Sequence, residues 1–457
     1  MAALLQRAFF GRTKQASGDL LRRFSGRLPA AACAAPLPLA RDFAAGPYIP
    51  LPDKLQEGAV ICYPHQGRTF VLGPNEPREH KDGGFRIAVI GASGPMGRQI
   101  SRSLVQMRKT FSGLGPMTVQ FVGRREGHSI GMLMGLCSEL RDAYEEFCPH
   151  LEVAVDLEAV RADIIVMAAG AMLSPAYKTH ADLVTANAEI FGYYSSGLVH
   201  NNSRSIVLVV SNPVEFGVDT FVSAGFKQEK VLGTGAYLDS MRFRREIGAQ
   251  LGVPRQQLSG LVLGVHGLGM VPCWSTVRLS SMASPEKEEK LEKLKSEGLS
   301  RKHDTNAVRA LAYEVRDMMV AGNALAATGL VNKQPADVRA AVRRYLSFFS
   351  GPNYPRVGIA ESTCRLMGDL LNGSETRSAA QVQLSSDKFL GIQGHAIGAP
   401  VLISGRGFSL APLELHAMEQ EAIQGAAKEA DELNRSANAM NLFQMIKRKA
   451  AAKKVPA

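Results

Sequence analysis

Residues Gly91 to Gly97, GASGPMG, lie between an apolar run, Ile87-Ala88-Val89-Ile90, and a stretch of helical character from Arg98 to Met107. A buried strand that turns on glycines into a helix can cradle a phosphate. Gly91 permits the tight turn, and Gly94 lets a pyrophosphate approach the backbone. Gly97 lets helix and strand pack closely, while the helix start offers free N–H groups and the positive end of its dipole. Ser93, Pro95 and Met96 complete the turn. Alone, this spacing also describes an ordinary tight βα turn. Four further motifs follow in order: Ser211-Asn212-Pro213-Val214; Leu238-Asp239-Ser240-Met241-Arg242-Phe243-Arg244; Gly264-Val265-His266-Gly267, with Met270-Val271-Pro272-Cys273-Trp274-Ser275 behind it; and Gly398-Ala399-Pro400-Val401. Taken singly they have plain readings. His266 could be a satisfied core histidine, and Asp239 with Arg242 an ion pair on one helix face.

The elements that must position these residues alternate strand and helix. After the first strand come predicted strands at Met117 to Val122, Leu151 to Val155, Ala162 to Ala169 and Ser205 to Val210. Helices are predicted at about Ser129 to Ala143 and Ala181 to Ser195. Near-continuous apolar strands alternating with helices imply a parallel sheet covered on both faces, with ligands at the carboxyl ends of its strands. The fold class expected is α/β; that the sheet is a Rossmann-type doubly wound parallel sheet followed by a mixed α+β domain is what the family resemblance of these motifs implies. Beyond it, helices are predicted around Thr220 to Ala224 and Asp239 to Leu251, and a strand at Leu258 to Gly264 leads into His266. A helix at Ala360 to Leu371 precedes strand regions at Phe389 to Leu402 and Phe408 to Leu410. A final helix is predicted from Leu415 to Ala437.

The chain has 457 residues and a net charge of +11, with much of the excess at its ends. Residues 1–41 carry seven arginines and lysines against Asp19, and read as an organelle transit peptide, mitochondrial first and plastid second. A basic arm on a cytosolic protein is the plainer alternative. Residues 42–84 form a Pro- and Gly-rich extension with a strand-like piece at Arg68 to Leu72. Residues 85–215 are assigned to dinucleotide binding and 216–437 to the substrate domain, with a charged helical insertion at 284–350. Residues 438–457 are a basic tail. The mildly basic middle gives no support to nucleic-acid binding. No apolar run is long enough for a transmembrane helix. The six cysteines show no CxxC and no zinc-like spacing, so no metal is predicted and packed thiols are expected.

With its motifs in this order, the chain resembles the lactate/malate dehydrogenase family from about Phe85 to Ala437, most like an organellar malate dehydrogenase. The resemblance implies hydride transfer between a nicotinamide and a 2-hydroxy/2-oxo acid of malate/oxaloacetate type, by a homodimer or homotetramer. His266 would exchange the proton, as an imidazole titrating near neutrality can. Asp239 would orient it, and Arg242 would grip the substrate carboxylate as a fork. Asn212 would contact both nicotinamide and substrate. Ala169, Gly170 and Asn187 are placed in the cofactor site on the same ground.

Two departures stand out. The family's mobile loop carries arginines that close over the substrate. Here the corresponding segment has Leu173, Ser174 and Pro175, with His180 in the polarising position and Lys178 as its firm cation. Loss of a fixed guanidinium beside a developing alkoxide is worth several kcal/mol in comparable sites. Lys178 and His180 are the candidate substitutes. Asn353-Tyr354-Pro355 is also bulkier than the small residues the family tends to place near the pocket, and Leu268 replaces an acid. At the second strand's end, where NAD users place an acid, the chain has Arg124 and Arg125. That favours NADP over NAD unless both are ordinary solvated loop charges. The degraded loop, the extension and the insertion support a second reading, a catalytically impaired family member serving as a structural subunit of an organellar complex.

Overall fold

The computed structural model describes residues 51–65, 67–74, 84–109, 116–171, 180–280, 284–301, 303–350, 355–372, 375–385 and 389–432. The predicted transit peptide and basic tail lie outside them, as do Lys178 and loop residues 172–179, and residues 351–354. Everything described belongs to one compact unit.

The parallel sheet is built from β3 (Phe85–Ile90), β4 (Met117–Val122), β5 (His150–Ala154), β6 (Ile164–Met167), β7 (Ile206–Val209) and β8 (Val231–Gly233). Their spatial order is β8-β7-β6-β3-β4-β5. Numbering these strands one to six gives 3-2-1-4-5-6, the doubly wound order whose ligand crevice lies between the first and fourth strands. The strands are apolar throughout, as double coverage demands: β4 (MTVQFV) is buried at every position. Helices α1 (Pro95–Gln106), α2 (Ser129–Tyr144), α3 (His180–Asn202) and α4 (Val214–Ser223) supply that coverage. The helix predicted to end at Ser195 runs on to Asn202. Asn202 turns back there to close the sheet bottom, accepting from the Ala162 N–H and donating to Val160 and Leu198 carbonyls. Sheet-forming residues also continue past 215, through β8.

The extension packs on this sheet. β1 (Val60–Tyr63) pairs antiparallel with β5, and β2 (Phe70–Leu72) pairs with β1. β1, which the sequence reading left unassigned, covers an edge that would otherwise present unpaired backbone groups.

On the other edge, β8 meets antiparallel strands. β11 (Thr376–Gln383) joins it, β12 (Ala396–Ser404) pairs with β11 and with β13 (Gly407–Leu410), and β12 leads to the hairpin of β9 (Leu258–Gly264) and β10 (Met270–Leu279). The strand region predicted from Phe389 starts only at Ala396. Before it, Leu390 and Gly391 take positive φ in a turn, and Ile392 donates to the Phe389 carbonyl. Helix α5 (Gly235–Leu251) packs against β9 and ends on Gly252 in the left-handed conformation. The charged insertion forms α6 (Pro285–Ser300), α7 (Thr305–Val320), α8 (Ala324–Asn332), α9 (Ala336–Val342) and the short α10 (Arg344–Phe348). It has its own apolar core against α5 and β10, including Trp274, Leu291, Val315, Val331 and Val342. Helix α11 (Val357–Leu371) follows. A final helix, 417–432, is tied to β10 by Glu419, which accepts from Ser275 N at 3.1 Å and Ser275 Oγ at 2.5 Å. None of Cys62, Cys137, Cys148, Cys273 and Cys364 forms a disulfide, and all five are buried.

Candidate active site

The crevice at the strand-order reversal is a cavity of about 540 Å³. One wall is the glycine turn. Gly91 has φ +78°, and a Cβ there would lie 2.7 Å from the Ala169 Cα, so the turn and the end of β6 touch backbone to backbone. Ser93, Gly94, Pro95 and Met96 line the same wall, and Ala169, Gly170 and Asn212 the opposite one. Gly97 is buried behind the turn, where any Cβ would overlap the Gly91 carbonyl. Ile190, Tyr193, Tyr194 and Leu183 from α3 and Ile359 from α11 complete the lining. These aromatic and aliphatic residues escaped the sequence reading, because a helical apolar stripe looks the same whether it faces core or cleft.

Two residues assigned to cofactor contact act behind the cleft instead. Asn187 is fully buried. Its Oδ1 accepts from the Ala171 N–H at 2.6 Å, and its Nδ2 donates to the carbonyls of Ala171 and Asn212 at 3.1 and 2.6 Å. It therefore clamps the ends of two strands rather than a ligand. Arg125 turns away to the extension. Its Nε donates to Asp156 at 2.9 Å and its Nη1 to the Leu55 carbonyl at 2.8 Å, while Nη2 also meets Asp156. Asp156 in turn accepts from the Gly58 N–H at 2.7 Å. Only Arg124 of the pair lines the cleft, so the argument for a 2′-phosphate loses half its charge.

The second cluster adjoins the end of β7. His266 sits in the β9–β10 turn, with its Nδ1 2.7 Å from Asp239 Oδ2. The other Asp239 oxygen accepts from Arg242 Nη1 at 2.9 Å. Both come from α5, three residues apart on one face, as expected. Gly235 opens that helix, and a Cβ there would stand 2.5 Å from the His266 ring. The bare helix start is what lets the imidazole lie down against it. Glu215, just past Asn212-Pro213, fixes the turn by accepting from the His266 N–H at 2.6 Å. This buried glutamate was missed by sequence reasoning, since nothing local marks its partner. Burial disfavours the Asp239 carboxylate, but His266, Arg242 and Arg344 outweigh it and hold the carboxyl well below its ordinary range. Burial, reinforced by Asp239, raises the Glu215 carboxyl despite His266. No other hydrogen bond of the Arg242 guanidinium is found among the described residues.

A nicotinamide dinucleotide suits these surroundings. The glycine turn leaves backbone room at a helix N-terminus, and Asn212, which lines the cleft, has a buried Oδ1 without a hydrogen-bond partner among the described residues. Of the loop cations, Lys178 is outside the description, and of His180 only its place at the start of α3 is described. Away from the cleft, Cys62, His150 and Glu152 bring ligand-type atoms within 4.8 Å of one another. Glu152 is already held by Arg86 Nη2 at 2.5 Å and Gln120 Nε2 at 2.8 Å. Both contacts fall on Oε2, while Oε1 lies 3.8 Å from His150 Nε2.

Residues 85–233 match the family model described as lactate/malate dehydrogenase, NAD binding domain. The chain is 28% identical over 267 residues to L-lactate dehydrogenase 2 of Enterococcus faecalis, a match spanning 58% of this chain and 72% of that protein. Several other L-lactate dehydrogenases are matched over 38% to 51% of their length. In fold, the chain is similar to the lactate dehydrogenase of Eimeria maxima with NADH and oxamate, at TM-score 0.60 and 19% identity, covering 80% of this chain and 97% of that one. It is similar to the same degree to Cryptosporidium parvum malate dehydrogenase, at TM-score 0.60 and 20% identity, covering 78% and 99%.

Proposed function

We propose that this chain, whose residues 85–233 match the model for the NAD binding domain of lactate/malate dehydrogenase, belongs to that family and is a 2-hydroxy-acid dehydrogenase using NAD(H). The carrying observation is the His266–Asp239–Arg242 triad standing beside the dinucleotide cleft. Bound NAD(H) would supply or accept the hydride. Gly91, Ser93, Gly94 and Met96 would hold the dinucleotide, and Asn212 would reach its nicotinamide end.

The ionised Asp239 holds a proton on Nδ1 of His266, which leaves Nε2 to give a proton to the substrate oxygen during reduction and to take it back during oxidation. Asp239 also offsets the positive charge that appears on the ring when both nitrogens are protonated. Arg242, steadied through the same carboxylate, presents its remaining guanidinium nitrogens to the substrate carboxylate. The tilt toward NADP has little support once Arg125 is engaged elsewhere, so NAD(H) is the cofactor proposed. Malate and lactate types are both kept for the substrate, because the motif resemblance points to the malate type and the curated relatives are L-lactate dehydrogenases. Residues 1–41 support import into the mitochondrial matrix, and the family kinship supports a homodimer or homotetramer.

The test is nicotinamide absorbance, with NADH and NADPH each offered oxaloacetate and pyruvate. Turnover with NADH that falls by about 10²–10⁴ in His266→Asn is the expected result for loss of a general acid. A folded chain that binds NADH and turns over neither acid would refute the catalytic reading. It would favour the role of a structural subunit.

A further inference from the structure

Arg344 opens the short helix α10 in the charged insertion, far in sequence from every motif of the site. The insertion lies on α5, and its attachment is well defined. Glu246, four residues past Arg242 on that helix, receives Arg339 Nε at 2.9 Å and Arg343 Nε at 2.8 Å. Arg339 also reaches Gln250 at 3.2 Å, and Arg343 reaches Asn332 at 2.9 Å. The α9–α10 junction is therefore pinned to the helix face that carries Asp239 and Arg242. Arg344 is the next residue.

Its neighbours are provided for and it is not. Arg339, Arg343 and Arg245 share Glu246, and Arg242 has Asp239. Among the described residues Arg344 makes no ion pair. Its guanidinium lies 5.5 Å from the Tyr345 ring centroid, a contact that orients the group without neutralising it. Arg344 is near enough to the triad for its charge to favour ionised Asp239 and to oppose the charge on Arg242. Two guanidiniums held together without a second carboxylate repel each other, and a bound anion relieves that repulsion.

Resting on the dehydrogenase reading, we propose that Arg344 is a specificity-determining residue, a second guanidinium beside Arg242 that selects 2-oxo and 2-hydroxy acids bearing two anionic groups over those bearing one. Arg242 takes the carboxylate next to the reacting carbon, and Arg344 takes the second anionic group. The family's loop arginines, absent from this sequence, are thereby partly replaced from the insertion.

The experiment uses the full chain with NADH bound, titrated with two non-reacting analogues and followed by NADH fluorescence. Tartronate carries two carboxylates and oxamate one. Arg344→Gln should weaken tartronate by about ten-fold and oxamate by no more than about two-fold, as expected for one charge-assisted contact. Arg344→Lys should recover part of the tartronate loss, since a point charge substitutes incompletely for the fork. Equal losses for both analogues, or none, would overturn the inference and leave the dehydrogenase reading standing. Binding of neither analogue to the wild-type NADH complex would overturn the 2-oxo-acid reading, and this inference with it.

Discussion

The two oxygens of Asp239 hold different partners, His266 on one and Arg242 on the other. The residue is fully buried, so neither partner can be replaced by water without rearrangement. Asp239→Asn keeps the shape and removes the charge. The amide can accept from only one of the two partners and must turn its own N–H₂ toward the other. Either His266 takes the wrong tautomer or Arg242 loses its anchor. Activity should fall by about 10²–10⁴, the range associated with a lost acid–base residue. NADH affinity, measured separately by fluorescence, should stay within about two-fold, because Asp239 does not line the dinucleotide cleft. A parallel collapse of NADH affinity would show that the change had damaged the fold and not the chemistry.

Helix α5 is the element on which the site depends, and its first residue is the sensitive one. Gly235→Ala needs no unusual backbone angle, so the helix should form. The new methyl would nevertheless stand where the His266 ring now lies. Displacement of a catalytic group by about 1 Å costs on the order of 10²-fold. Turnover in Gly235→Ala should drop by about that factor while circular dichroism stays unchanged, and wild-type turnover would refute the packing argument. Elements like α5 and β9 were legible because local pattern decides them, although α5 was read only from Asp239 and its first turn, from Gly235, was missed. The glycine turn, Asp239, Arg242 and His266 were legible through order and spacing. β11, TRSAAQVQ, was not, since its small alanines carry no strand signature and its burial comes from β8 and β12. β1 was hidden for the same reason, being defined by the edge it covers. Arg125 and Asn187 were assigned by position along the chain, whereas their hydrogen bonds to Leu55, Asp156 and Asn212 are set by tertiary contacts. The placement of Arg344 is likewise set by tertiary contacts, through Arg339 and Arg343 holding Glu246 on another helix.

At the scale of the whole molecule, the seam between the parallel and antiparallel halves carries a carboxylic acid. Asp219 on α4 accepts from Gln383 Nε2 on β11 at 3.0 Å. Burial pushes its pKa up to about 7; the Ala396 N–H and Gln383 hold it down, and Glu215 and Asp431 push it further up. The unfolded chain would titrate it at about 3.9. The folded state therefore binds this proton more tightly, and the sign of the linkage follows. Below about pH 4 both states are protonated and Asp219 carries no charge penalty. As pH rises towards 7, the unfolded state ionises first and stability falls. Above about 7 the full penalty is present. Asp219→Asn retains an acceptor for Gln383 and cannot ionise. It should stabilise the protein at pH 8 by roughly 1–2 kcal/mol, a partial value since the residue is only half-buried. The gain should shrink toward zero near pH 4. Urea unfolding of both proteins between pH 4 and 8 gives the comparison. A gain that did not vary with pH would mean that Asp219 ionises in the folded seam as readily as in the unfolded chain.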